Sequence, residues 1–197
     1  ADGHHRYEVS LEIQKDCGND EKPCNYRMAT FVSAQDPGLV ILPTHRLVYG
    51  VDVKSDELLA KAKEYFEVEK GRKKLDKHEI GFFNGKDYTL RLKDEGIMRD
   101  RMSKTKTYKL LDVVILHELL LKDVLGIENV EDHVSYIRDE NEGRENIGKY
   151  QYLFTLCPTS IEEVREIGKR GEAMPQKSTD FYPKMISGLT AFDLEKW

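Results

Sequence analysis

Asp2-Gly3-His4-His5-Arg6-Tyr7 sets a carboxylate, a glycine, two imidazoles and a guanidinium directly before a helical pattern. A helix N-terminus offers unpaired backbone N–H groups and the positive end of the macrodipole, and a glycine there lets an oxygen-rich ligand approach the backbone. Arg6 can grip a phosphate bidentately, and the imidazoles can donate, accept or shuttle a proton near neutral pH. Gly3 and Arg6 are therefore candidate phosphate ligands, and Asp2, His4 and His5 are candidate catalytic groups. The simpler alternative is that Asp2 caps the helix and the histidines hydrogen-bond locally.

Four other places could carry polar chemistry. Leu42-Pro43-Thr44-His45-Arg46 follows an apolar run, and Pro43 cannot donate to a central ladder, so Thr44, His45 and Arg46 are expected at a strand's end, where His45 and Arg46 could face a ligand. Lys177, Ser178, Thr179, Tyr182 and Lys184 gather two ammonium groups and three hydroxyls, a candidate second anion or substrate clamp, although a surface loop with solvated lysines would look the same. The preceding Gly171 to Ser178 nearly spells a phosphate-binding loop, but Gln176 replaces its second glycine, Pro175 removes an N–H, and a helix rather than a strand comes before it. His117-Glu118 lacks the second zinc ligand, since Leu121 stands four residues on, so His117 reads as a hydrogen-bonded core histidine. Cys17 and Cys24 share a polar loop without metal or redox spacing.

These residues need elements to hold them. A helix is expected from Arg6 to about Lys15, then strands over Met28–Ala34 and Leu39–Leu42 paired across the turn Gln35-Asp36-Pro37-Gly38. Ser55–Tyr65 reads as a helix capped by Ser55, with Phe66 on its inner face. Ile80–Phe83 and Tyr88–Leu92 around Asn84-Gly85 read as a hairpin. Tyr108–Leu125 reads as a central buried helix ended by Gly126. A strand at Val134–Arg138, a helix at Asn141–Tyr150 and a strand at Tyr152–Leu156 follow. The last helix, Ser160–Lys169, has Ser160 as cap, acidic residues in its first turn and Gly171 as its stop. Interleaved strands and helices imply a mixed α+β fold, a mixed sheet with flanking helices and one hairpin, over 1–197 as one compact domain. The charged stretches Gly71–Lys77 and Asp94–Lys106 read as exposed.

The chain has 197 residues, 39% hydrophobic and 34% charged, with a formal net charge of −5. That composition excludes a disordered chain, and the acidic balance gives no footprint for nucleic acid. No run approaches the ~20 apolar residues of a membrane span. With three cysteines and no signal peptide, a cytoplasmic protein with a small-molecule partner is expected, without nucleic acid or membrane.

Two resemblances sharpen this. Gly-x-His-Arg-Tyr opening a helix resembles the phosphate-binding turn of the ParB/sulfiredoxin superfamily, with Gly3, His5 and Arg6 at matching positions. His4 stands where sulfiredoxin has its reactive cysteine, so sulfiredoxin chemistry is not implied. More extensively, Ala1 to Glu8, Asp36 to Arg46, Leu116 to Leu121, Met174 to Thr179 and Phe181 to Lys184 resemble, in order, the signature blocks of the domain-of-unknown-function 1015 family. That resemblance implies that the chain is the C-terminal portion of a longer protein whose N-terminal half is absent here. It also implies a nucleotide-dependent kinase acting on a small hydroxyl-bearing metabolite such as free serine, with ATP or ADP and Mg2+ as cofactors and no metal-ligand set of its own. In that reading His45, Arg46, Lys177, Ser178, Thr179, Tyr182 and Lys184 complete the pocket begun by Gly3 and Arg6. The alternatives are a non-catalytic nucleotide-binding regulatory module and a metal-dependent hydrolase using Asp2, His4, His5 and His45.

Overall fold

The computed structural model describes residues 3–18, 22–186 and 188–193. In chain order it holds α1 (His4–Cys17), β1 (Val40–Leu42), β2 (His45–Val48), α2 (Ser55–Ala62), β3 (Phe66–Lys70), β4 (Glu79–Phe83) and β5 (Asp87–Leu92). Then come α3 (Lys106–Lys109), α4 (Asp112–Ile115), β6 (Val134–Ile137), α5 (Glu140–Glu145), β7 (Tyr152–Thr155), α6 (Ile161–Lys169) and β8 (Asp180–Tyr182). The mixed α+β class is borne out. The chain divides into two compact units, Ala1–Val40 with Phe181–Trp197, and Ile41–Asp180.

In the first unit α1 opens at Gly3 and closes at Gly18, both with left-handed backbone. Successive residues turn by about 100° around a helix, so Tyr7, Val9, Leu11 and Ile13 spread around α1 rather than forming one stripe. All four are exposed. A disulfide joins Cys17, the last residue of α1, to Cys24, so these two cysteines serve as a local staple rather than as isolated thiols. The expected strand over 28–34 is not formed: those residues are exposed and belong to no ladder. The turn after them is present, with Leu39 N–H donating to the Asp36 carbonyl at 3.0 Å, but β1 pairs with β8 instead.

The second unit is built on a six-stranded sheet in the order β3-β5-β4-β7-β2-β6, with every pairing antiparallel. The hairpin β4–β5 forms as its Asn-Gly signal implies, with Gly85 at φ 95°. Helix α2 starts at Ser55 but takes Lys54 as its cap, and it stops at Ala62, so Phe66 opens the edge strand β3. The expected helix over 108–125 is divided. Leu111 is extended between α3 and α4, and from Leu116 to Val124 the helix widens to the π form. Helix α6 carries the full capping box, Ser160 and Glu163 each bonding the other's backbone N–H.

Alternation along the strands divides the second unit into two layers. Arg46 lies opposite Phe154 and Tyr136, and Phe154 lies opposite Phe82, on one face. That face carries the main core: Phe82 stacks at 5.3 and 5.4 Å from Phe154 and Tyr152, and Leu116, Leu119, Leu120 and Val124 join the same cluster. Leu47, Leu153 and Thr155 alternate onto the other face, where α5 packs close enough that a Cβ on Gly143 would stand 3.0 Å from Leu153.

Candidate functional site

The first unit holds the turn that opens α1. Gly3 is the N-cap and sits at φ 78° and ψ 37°, a conformation that favours glycine, and among the described residues no side chain caps the helix. Its carbonyl accepts from the Arg6 N–H at 3.0 Å. A Cβ on Gly3 would stand 2.5 Å from Arg6 Nη2, so the guanidinium folds back over the glycine. The turn thus combines backbone donors, the dipole's positive end and a guanidinium. His4 is half-buried, while Asp2 and the His5 side chain lie outside the described residues. Tyr182 and Lys184, exposed, also belong to this unit.

In the second unit, Thr44, His45 and Arg46 do not end a strand. His45 and Arg46 begin β2, a short strand buried along its whole length between β6 and β7. Arg46 is 1% exposed, and among the described residues it has no carboxylate partner. It donates to the carbonyls of Thr44 and Lys177, the latter at 2.8 Å, and lies 5.4 Å over the Tyr136 ring. Among the described residues its Nε has no hydrogen-bond partner, and burial lowers its pKa to about 10. The carbonyl it grips belongs to a residue in the left-handed region, Lys177 at φ 53°. The Lys177 ammonium lies 5.8 Å over the same Tyr136 ring. Ser178 uses its hydroxyl locally, donating to the Pro175 carbonyl at 2.6 Å, and its own carbonyl accepts from Thr159 at 2.8 Å. Thr179 follows, half-buried.

The structure therefore brings Arg46 together with Lys177 and Ser178, and sends His45 to the opposite face. There His45 Nδ1 accepts the Leu156 N–H at 3.2 Å, and burial lowers its pKa to about 4 against the pull of Glu140. It lines a cavity of about 270 Å3.

Two groups near these residues were not legible as partners in the sequence. His117 is half-buried as expected of a core histidine, but among the described residues its Nε2 finds no hydrogen-bond partner. Burial first, and the Arg46 cation second, lower its pKa to about 3. Cys157 Sγ lies 3.1 Å from the Leu75 carbonyl, and burial pushes its pKa up to about 11, so it is a poor nucleophile at neutral pH.

A family model described as a protein of unknown function (DUF1015) matches residues 1–114. The chain belongs to this family. No curated protein matches this DUF1015 chain. Among solved structures it is similar to a conserved hypothetical protein from Pyrococcus furiosus, at 15% identity and a TM-score of 0.45, over 77% of this chain and 60% of that one. It is also similar to a free serine kinase in complex with AMP, at 18% identity and a TM-score of 0.44, over 77% of this chain and 57% of that one. A variant of that kinase in complex with ADP gives 18% and 0.45, over 78% and 58%. The chain thus spans about three fifths of the length of the solved structures it matches. At these TM-scores the likenesses carry no weight for function.

Proposed function

We propose that this DUF1015 chain is the C-terminal portion of a nucleotide-dependent phosphotransferase that acts on a small hydroxyl-bearing metabolite, with free serine as the first candidate. The observation that carries the proposal is the Gly3 turn: a left-handed glycine opening a 14-residue helix, with the Arg6 guanidinium folded over it. Donors of this kind suit the phosphates of ATP or ADP. Phosphoryl transfer asks mainly for positioning and charge stabilisation. In the reaction the acceptor hydroxyl gives its proton to Asp2, His4 or His5 and its oxygen bonds to the terminal phosphorus, while the nucleotide leaves one phosphate shorter. Among the described residues no three His, Cys, Asp or Glu side chains converge on one point. Mg2+, where it accompanies the nucleotide, would supply charge neutralisation at the phosphates.

The test is calorimetric titration of the full chain, and of the longer protein, with ATP and ADP in the presence of Mg2+. Saturable binding that Arg6→Ala weakens is expected, followed by nucleotide turnover when serine is added. Absence of binding, or equal binding by the variant, overturns the proposal. Binding without turnover on any small alcohol replaces it with a regulatory module.

A further inference from the structure

The cavity beside His45 lies within the second unit, on the sheet face opposite the main core. Three strands form its floor, where Gly81 of β4 lies between Thr155 of β7 and Thr89 of β5. A Cβ on Gly81 would stand 2.1 Å from Thr155 Oγ1, so a glycine inside a strand keeps this floor open and lets the hydroxyl sit over it. At one side is His45, 5% exposed. Because its Nδ1 accepts from Leu156, the neutral ring carries its proton on Nε2, as a donor.

The rim is cationic. Arg72, Lys73 and Lys74 follow β3, and Arg144 projects from α5, against the carboxylates of Asp87 and Glu140. Arg144 bonds Asp87 at 2.5 Å and Glu140 at 2.8 Å, and Arg72 lies 3.2 Å from Glu140. Lys73 is taken by Glu79 at 2.8 Å. Lys74, exposed at the mouth, makes no ion pair among the described residues. The lining therefore offers an imidazole N–H, a threonine hydroxyl and an uncommitted ammonium, which ask for a ligand made of acceptors. The volume, below the range typical of drug-sized ligands, limits it to a small metabolite.

We propose that this cavity binds a small hydroxylated oxyanion, a carboxylate or a phosphate monoester, with its charge at Lys74 and its oxygens toward His45 Nε2 and Thr155 Oγ1. The cavity's lining is drawn wholly from the second unit and includes no residue of the Gly3 turn.

Titration of the full chain with malate in one arm and glycerol 3-phosphate in the other, followed by amide NMR, tests this. Saturable shifts are expected at Gly81, Thr155 and Leu156, and the tighter arm assigns the oxyanion. Lys74→Glu, an exposed change, should weaken binding about tenfold, ~1.4 kcal/mol, with an unchanged thermal midpoint. Thr155→Val should weaken it severalfold, and Arg6→Ala should leave it as it was. Shifts absent from those three amides in both arms, confined to surface lysines, unaffected by Lys74→Glu, or lost in Arg6→Ala would each overturn the proposal.

Discussion

Replacing His45 by Gln exchanges a buried group that titrates for one of similar reach that does not. In the folded chain burial holds the imidazole neutral down to about pH 4, against an ordinary value of 6.5. Between those values the unfolded chain binds one proton more than the folded one, so stability is complete above pH 6.5 and is lost as pH falls toward 4. Each pH unit in that window is worth ~1.4 kcal/mol, so the imidazole removes about 3 kcal/mol across it. Gln keeps an acceptor for the Leu156 N–H and has no charge to gain. His117 and Asp112 titrate in both proteins and cancel in the difference. Urea unfolding followed by circular dichroism, at a series of pH values for both chains, gives that difference directly. Whatever stability advantage the wild type has at neutral pH should shrink by about 3 kcal/mol on acidification through the window, or reverse. A difference that stays flat would refute the claim that His45 is held neutral by its buried position.

Three further outcomes follow from other buried groups. Burial pushes the Glu79 carboxyl up, but Lys73, the Asp76 N–H and Arg91 outweigh it and hold it at about 2. Glu79→Gln should therefore cost about 2–4 kcal/mol at pH 7 in urea unfolding, and the loss should fade as pH drops from 4.5 toward 2. Asp112 behaves oppositely, because burial raises its pKa to about 7 and the folded chain holds a proton that the unfolded chain gives up above 3.8. Its contribution falls as pH rises through that range, so Asp112→Asn should stabilise the chain at pH 8 by ~1–3 kcal/mol, seen as a higher thermal midpoint. Arg46→Met should cost about 2 kcal/mol through the stranded Thr44 and Lys177 carbonyls, and should raise the His117 pKa in an NMR titration.

Elements with a local chemical signature could be read from the sequence, and elements decided by distant partners could not. The Ser160–Glu163 box and the Asn84-Gly85 turn each contain their own cause, so α6 and the β4–β5 hairpin appear where expected. Strand β2 has four residues, one of them an arginine, and is a strand because β6 and β7 flank it. Nothing in His45-Arg46-Leu47-Val48 announces a buried guanidinium, since charged residues are almost never fully buried unless paired. Met28–Ala34 shows the converse: its apolar content reads as a strand, yet no neighbour supplies the ladder. At the site, the Gly3–Arg6 proximity follows from helical spacing and was legible. The cavity was not, because Gly71–Lys77 reads as an ordinary solvated stretch until β4, β7 and α5 are set beside it.

His45 and Arg46 are neighbours in the chain and strangers in space, separated by the thickness of the sheet. Read as a dipeptide they look like one motif under one constraint. Across a family they should instead drift as two unlinked characters: His45 should change in step with Gly81, Thr155 and the rim of its cavity, and Arg46 with Tyr136, His117 and the left-handed residue at 177. A covariation map that splits the pair in this way would recover the two layers of the sheet without any coordinates.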